Sequence, residues 1–304
     1  MLIAEKERTT SGAFHKHLPA WKGVNTMKFT EVVKAVRADG MKAVLLRGLY
    51  MSQLINIEQL GKLAERFGDI ARSDGLIISM DNPLLPVRFK GTILLGWYEN
   101  YEREMIQKNL PDDEPVIELG ASIGVVACIA NRRLRSPERH VVVEASPELI
   151  PTLKKNRDLN GCQFAIIEAA IAYGSDSITF FPNGESLAGS IYPGGGQKME
   201  VPAKTLQAVA ASANFQHFNL ICDIEGSEIE VIDHEIDFIR EHVGLILIET
   251  HYFTPYGEEG VNALLEKLAA NDFEIIDSKG KHYCFRNRNS LKQENEKRED
   301  TSLS

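Results

Sequence analysis

Four apolar runs in this chain end in acids or a histidine: Val116-Ile117-Glu118-Leu119-Gly120-Ala121-Ser122-Ile123-Gly124, His140-Val141-Val142-Val143-Glu144, Phe218-Asn219-Leu220-Ile221-Cys222-Asp223-Ile224-Glu225-Gly226 and Leu245-Ile246-Leu247-Ile248-Glu249-Thr250-His251. Carboxylates can accept hydroxyl groups, balance a cation or take a proton, and a histidine titrates near neutral pH. The first run breaks at two glycines, and apolar residues at helical spacing follow from Ile123 to Leu134. That is a strand, a tight turn and a helix start, the place where free backbone N–H groups meet a ligand.

The turn defines its ligand by what it lacks. A dinucleotide fingerprint needs G-x-G-x-x-G so that a pyrophosphate can approach the backbone. Here Ser122 and Val125 stand where the second and third glycines would fall, so a phosphate-free ligand suits the loop. Glu118 adds a negative charge for a cationic amino group. Glu144 lies about 20 residues past the turn, the spacing at which α/β nucleoside sites place a ribose-binding carboxylate. An adenosine carrying a methionine satisfies both hints.

The elements that position these residues follow from periodicity. Residues 27–38 read as an amphipathic helix closed by Asp39-Gly40, 43–49 as a strand, 57–70 as a helix, and 76–80 and 87–95 as strands. This α+β lead-in, residues 1–95, packs against the catalytic domain or forms a lid or dimer surface. Trp97-Tyr98-Glu99 opens a charged helix to Leu110; an ordinary helix start is the first account of Tyr98 and Glu99, and reach to the ligand from the side is the second. Residues 147–159 form a helix capped by Ser146 with Pro147 at its first position. Strands are expected at 163–170, 178–181 and 199–201, with a glycine-rich loop at 182–196 as filler or lid. Helices at 227–239 and 261–270 and an antiparallel pair at 273–277 and 282–286 close a domain at 96–287, and 288–304 is a polar tail expected to be disordered. Strands alternating with helices predict a doubly wound, mostly parallel sheet, with Glu118, Glu144, Asp223, Glu225, Glu249 and His251 on the rim at its carboxyl ends.

Composition sets the outer bounds. With 34 basic against 43 acidic side chains the net charge is −9, which repels polyanions, so no nucleic acid partner is expected. The 43% hydrophobic content supports a sizeable core. No apolar run reaches the ~18 residues of a membrane span and the start lacks a signal-like apolar block, giving a cytoplasmic expectation. Cys128, Cys162, Cys222 and Cys284 are scattered singly and read as reduced, buried thiols.

The order of these motifs resembles the FkbM family of class I S-adenosylmethionine-dependent methyltransferases. The resemblance runs over about residues 96–287. It is carried by Trp97-Tyr98-Glu99, the loop from Glu118 to Gly124, Glu144-Ala145-Ser146-Pro147, Leu153-Lys154-Lys155-Asn156, Ala169-Ala170-Ile171-Ala172, Asp223-Ile224-Glu225-Gly226-Ser227-Glu228 and Glu249-Thr250-His251. Where the family usually has Asp, Asn and Glu-Pro, this chain has Glu118, Ser122 and Glu144-Ala145. The resemblance implies a Rossmann-like, seven-stranded sheet with an antiparallel last strand. It also implies O-methylation of a sugar, glycolipid or secondary metabolite, with S-adenosyl-L-methionine held by Glu118, Gly120, Ala121, Ser122, Gly124, Glu144, Ala145, Ser146, Ala170 and Asp223.

An alcohol acceptor benefits from a base as its proton leaves. His251 ranks first on its unperturbed pKa of about 6.5, followed by Glu225 and Asp223, and Glu228 reads as a stabiliser of the first helical turn. No metal is expected, because Asp223 and Glu225 lack a clear third ligand. The acceptor is a small molecule or glycan, and a homodimer is compatible with the lead-in. The competing readings are a nicotinamide-dependent oxidoreductase, disfavoured by the missing glycines, and a non-catalytic S-adenosylmethionine-binding protein.

Overall fold

The computed structural model describes residues 29–181, 198–252 and 255–289. The glycine-rich segment 182–196, the polar start at 1–25 and the tail beyond residue 289 lie outside them. The lead-in consists of α1 (Phe29–Met51), α2 (Ile57–Arg66), the hairpin β1 (Ile70–Ser73) and β2 (Leu76–Ser79), and α3 (Val87–Leu95). Next come α4 (Asn100–Asn109), β3 (Val116–Leu119), α5 (Val125–Arg133), β4 (His140–Glu144), α6 (Ile150–Leu159) and β5 (Ala165–Glu168). The short strands β6 (Ala170–Ile171), β7 (Ser177–Phe180) and β8 (Met199–Lys204) precede α7 (Leu206–Ala213) and β9 (Phe218–Cys222). The chain then continues through α8 (Glu228–His242), β10 (Val243–Glu249), α9 (Gly257–Ala270), β11 (Phe273–Lys279) and β12 (His282–Asn287).

Seven of these strands form one sheet in the order β11-β12-β10-β9-β3-β4-β5. The pairs β5–β4, β4–β3, β3–β9 and β9–β10 are parallel, and β12 lies antiparallel between β10 and β11. The expected Rossmann-like sheet with an antiparallel last strand is thus present. Every residue of β3, β4 and β9 is buried, as parallel strands covered on both faces require. Alternate side chains feed two cores. Ile117, Leu119, Val141, Val143 and Leu220 face Ile229 and Ile232 of α8 and Leu264 of α9. On the other face, Val116, Val142 and Ile221 share one cluster with α5, α6 and the lead-in residues Leu60, Leu76, Ile78 and Ile93. The expected strands at 178–181 and 199–201 exist, but with β6 they make a separate three-stranded sheet. No helix among the described residues is long and apolar enough to cross a membrane.

Three local expectations are corrected. Residues 43–49 are the second half of α1, entered through a non-helical Gly40, and 87–95 form α3. Short apolar runs carry no period that separates a strand from a buried helix. Helical burial is evident in α1, where Ala43 and Leu46 are inside and Leu45 outside. In α3 the glycine has a helical purpose. A Cβ on Gly91 would stand 2.2 Å from the Ile57 oxygen, and one on Gly61 of α2 would stand 1.8 Å from the Val87 oxygen, so the two helices cross backbone to backbone. Third, α6 starts at Ile150 after Leu149, not at Pro147. Ser146 does not cap it: the residue before the helix is Leu149, and the buried Ser146 Oγ accepts no hydrogen bond among the described residues. Helix α7 had no counterpart in the sequence reading; Thr205 caps it by accepting from the Ala208 N–H at 3.1 Å.

The lead-in is fastened to α6 by two asparagines one helical turn apart. Asn156 accepts from the Ser79 N–H at 2.6 Å and donates to the Ser79 oxygen at 3.1 Å, while Asn160 makes the same pair of bonds with Ile77 at 2.9 and 2.8 Å. Each side-chain amide thereby takes the place of a neighbouring strand along β2. Asn156 also donates to the Ile123 oxygen at 2.8 Å, inside the glycine turn. Asn156→Ala strands three buried backbone groups, so at about 1–3 kcal/mol for each unsatisfied group, with partial relaxation, a loss of roughly 3 kcal/mol is expected. Urea unfolding of the variant beside wild type checks it.

Candidate active site

Strand order reverses between β3 and β9, and the crevice at such a point is where open α/β sheets bind ligands. The loop after β3 packs against the loop after β9 at backbone distance. The Asp223 N–H donates to the Leu119 oxygen at 2.9 Å, and a Cβ on Gly120 would fall 1.7 Å from the Asp223 oxygen. Gly120 also sits at φ 84°, so no other residue meets both demands. Gly124, at the same φ, precedes α5 and abuts Leu153. Between them Ser122 is held in the left-handed region at φ 48°.

Glu144 ends β4 and turns toward this loop. Its Oε2 accepts from the Ser122 N–H at 2.7 Å and its Oε1 from the Ser146 N–H at 2.8 Å. Burial pushes its pKa up to about 7, against the lowering effect of those N–H groups. A carboxylate has about four acceptor positions, so the two oxygens keep capacity for vicinal hydroxyls. Ala121 is buried within the loop. Ala170 is buried in a small satellite core with Phe180 and Val201, and Ala145 packs against it.

Glu118 is not one of the rim acids. It lies one residue inside β3, 1% exposed, with its Oε2 3.4 Å from His140 Nε2. Burial pushes Glu118 up to about 8 and His140 down to about 3, so at pH 7 the two meet as neutral groups. Neither Glu118 oxygen makes a hydrogen bond among the described residues. Nearby, Glu99 has one buried oxygen without a hydrogen bond, and burial, against the lowering effect of a hydrogen bond with Tyr98, pushes its pKa up to about 8.

The second cluster gathers around His251. Glu228 is buried at the start of α8 and its Oε1 accepts from the Ile224 N–H at 3.0 Å, from the Gly226 N–H at 3.1 Å and from His251 Nδ1 at 3.1 Å. The sequence reading assigned Glu228 only to the helix start. The structure has it fold the loop that carries Asp223 and Glu225, and orient the imidazole as well. With Nδ1 donating, Nε2 faces Glu225 Oε2 at 3.3 Å, Asp223 Oδ1 at 3.7 Å and Glu249 Oε1 at 3.7 Å. The ring is only 4% exposed, whereas the side chains of Asp223 and Glu225 are 23% and 26% exposed. The carboxylates therefore front the crevice and the histidine stands behind them. Burial of the ring alone would lower its pKa, but the Glu228 hydrogen bond and the charges of Glu228, Glu225 and Glu249 together hold it above the ordinary value. Asp223 and Glu225 are both raised, first by burial and then by their acidic neighbours.

The argument against a metal also changes. Asp223, Glu228 and His251 offer ligand atoms within 4.8 Å of one another, as do Glu102, Glu249 and His282. These sets could hold a divalent cation. Glu102 and His282 escaped the sequence reading, since His282 reaches the rim only as the antiparallel cross-strand neighbour of Glu249. Tyr98 was read as part of a helix start. Its hydroxyl lies 3.1 Å from Ser122 Oγ, in the direction of the second reading, reach to the ligand loop from the side.

A sheet of this order, with a glycine turn after β3, an acid at the end of β4 and an acidic loop after β9, defines the Rossmann-like methyltransferases. The family model described as the methyltransferase FkbM domain matches residues 118–275, just over half of the chain. This chain belongs to the FkbM methyltransferase family. No curated protein matches it. Among solved structures it is similar to a protein in the NADB-Rossmann superfamily from Streptococcus agalactiae, at 14% identity over 61% of this chain and 65% of that one, with a TM-score of 0.37. It is likewise similar to ribosomal protein L11 methylase from Lactobacillus delbrueckii subsp. bulgaricus, at 13% identity over 62% and 77%, TM-score 0.39. A third is fibrillarin from Aeropyrum pernix, a structure with natively bound S-adenosyl-L-methionine, at 13% identity over 61% and 72%, TM-score 0.37. The chain spans just under two thirds of the first of these. Likeness at this level carries no argument about chemistry.

Glu228 raises His251, Asp223 and Glu225 alike, so removing its charge moves all three in one direction. In wild type the His251 ring is expected to titrate above the ordinary value of about 6.5. In Glu228→Gln the midpoint falls, because the cationic ring loses a partner. Proton NMR of the histidine ring over pH 5 to 9 measures both.

Proposed function

We propose that this chain is an S-adenosyl-L-methionine-dependent O-methyltransferase, acting in the cytoplasm on a hydroxyl of a sugar, glycolipid or secondary metabolite. The observation that carries the cofactor assignment is the set of buried carboxyl groups around a phosphate-intolerant loop. Glu118, with no hydrogen bond to either oxygen, and Glu99, with one oxygen unpaired, suit a cationic amino acid moiety. Glu144, fixed by two loop N–H groups, suits a ribose. Ser122 leaves no room for the pyrophosphate of a nicotinamide cofactor.

S-adenosyl-L-methionine, when bound, supplies a methyl group already activated on a sulfonium. The residues of this chain therefore need to align an acceptor oxygen and take its proton. Glu225 and Asp223 are the groups that front the crevice. Their raised pKa values make them stronger bases than ordinary carboxylates. His251 sits 3.3 Å behind Glu225, its ring oriented by Glu228 at 3.1 Å, placed to hydrogen-bond the carboxyl group that takes the proton. The acid-rich rim and the net charge of −9 disfavour a nucleic acid acceptor.

Calorimetric titration tests the cofactor. Saturable binding is expected for S-adenosyl-L-methionine and none for NADH, with binding largely lost in Glu144→Ala. A folded wild-type sample that ignores S-adenosyl-L-methionine sinks the assignment. The pH dependence has a definite sign. Glu118 and Glu99 are largely protonated at pH 7, with pKa values of about 8, and a cationic ligand favours their ionised forms. Binding is thus expected to release protons and to tighten from pH 6 to 8, read from calorimetric enthalpies in buffers of different ionisation heat.

For the transfer step, Glu225→Gln is expected to lower kcat by roughly 100-fold, the lower end for loss of a general base, with cofactor affinity unchanged. Formation of S-adenosylhomocysteine across a panel of hydroxylated acceptors provides the readout.

A further inference from the structure

The turn between α3 and α4 lies outside the stretch matched by the family model, yet it touches the loop assigned to the cofactor. It is an unusual piece of backbone. Gly96 and Glu99 both take left-handed conformations, at φ 70° and 50°, and Glu99 precedes α4 without any side-chain cap. Something other than local preference must hold it.

Arg103 does so, and its side chain is 7% exposed. Its Nη1 donates to the Tyr98 oxygen at 2.8 Å and to the Gly96 oxygen at 3.4 Å, gripping the turn. Its Nη2 points the other way, donating to Ser73 Oγ at 3.2 Å and pairing with Asp74, both in the β1–β2 hairpin of the lead-in. The planar fork serves two directions at once, which a lysine ammonium cannot do with fixed geometry. Two aromatic contacts brace the turn: Tyr50 of α1 meets Trp97 edge-on at 5.2 Å, and Phe89 of α3 meets Tyr98 at 6.1 Å. The Tyr98 hydroxyl then reaches Ser122 Oγ, and Ser122 gives its N–H to Glu144.

We infer that Arg103 is a positioning residue that lets the lead-in set the shape of the cofactor loop, through the path Asp74, Arg103, Tyr98, Ser122. The lead-in is thereby part of the binding apparatus and more than a packed flank. This rests on the reading of the Gly120–Gly124 turn as the S-adenosyl-L-methionine site.

The test measures S-adenosyl-L-methionine affinity by calorimetry in Asp74→Asn, Arg103→Lys, Tyr98→Phe and the double variant Arg103→Lys/Tyr98→Phe, with circular dichroism confirming the fold of each. Tyr98→Phe removes one hydroxyl and Asp74→Asn lies away from the loop, so both keep the question open should Arg103→Lys fold poorly. Expected is a loss of about fivefold to tenfold for Tyr98→Phe and Arg103→Lys and a smaller loss for Asp74→Asn, within the range of ordinary coupling between sites. The double variant should be no weaker than the worse single one, since residues on one path do not add. In turnover assays KM for the cofactor should rise while kcat stays within about twofold, the pattern of lost uniform binding. Wild-type affinity in folded Tyr98→Phe and Asp74→Asn, or losses that multiply in the double variant, overturns the relay while leaving the cofactor site standing. A folded wild type that binds no S-adenosyl-L-methionine overturns the cofactor reading itself and the relay with it.

Discussion

Where β3 and β9 end, two backbones touch. Gly120 has no room for a side-chain atom against the Asp223 oxygen, and the Asp223 N–H is taken by Leu119. This contact joins the loop assigned to the cofactor and the acidic loop at their closest approach. Alanine at position 120 would have to part the two strands or accept a positive φ that residues with a Cβ resist. The placement of the crevice-facing Asp223 and Glu225 beside the Gly120 loop follows from it, since each loop is fastened to its own strand.

Around that contact the protein concentrates acids it cannot comfortably ionise together. Glu99, Glu102, Glu118, Asp223 and Glu225 all have raised pKa values, with burial the main cause in each. Buried like charges oppose ionisation in proportion to their proximity. Among the described residues, basic groups answer them locally: Arg103 lowers the pKa of Glu99, His251 has its own pKa raised by Glu228, and Lys281 lies 3.3 Å from Glu249. Such a cluster favours a cationic ligand, because the same low dielectric that disfavours the bare charges strengthens their attraction to one.

The lead-in supports this region from one side. It shares a continuous apolar core with β3, α5 and α6. Asn156 couples the edge of β2 to the Ile123 oxygen, and Arg103 couples the β1–β2 hairpin to Tyr98. Both are buried polar side chains with several directional bonds, so they specify position where apolar packing would leave it loose.

The sequence by itself determined the sheet. Apolar runs ending in acids, separated by helical periods and glycine breaks, are local patterns, and local patterns survive being read one segment at a time. For the same reason Glu144 stood out at a fixed distance from Gly120. Where two conformations bury the same residues the pattern is silent, so residues 43–49 and 87–95 read as strands, and the purpose of Gly61 and Gly91 emerged only when α2 and α3 crossed. The site's finer arrangement was beyond local reading altogether. Glu118 looks like a rim acid until β3 is seen to run past it, and His251 looks like the exposed base until Asp223 and Glu225 are seen in front. His282 joins Glu249 across an antiparallel pair, and Arg103 reaches a hairpin about thirty residues before it. Burial, shielding and long-range hydrogen bonds depend on which elements become neighbours, and only the packed chain decides that.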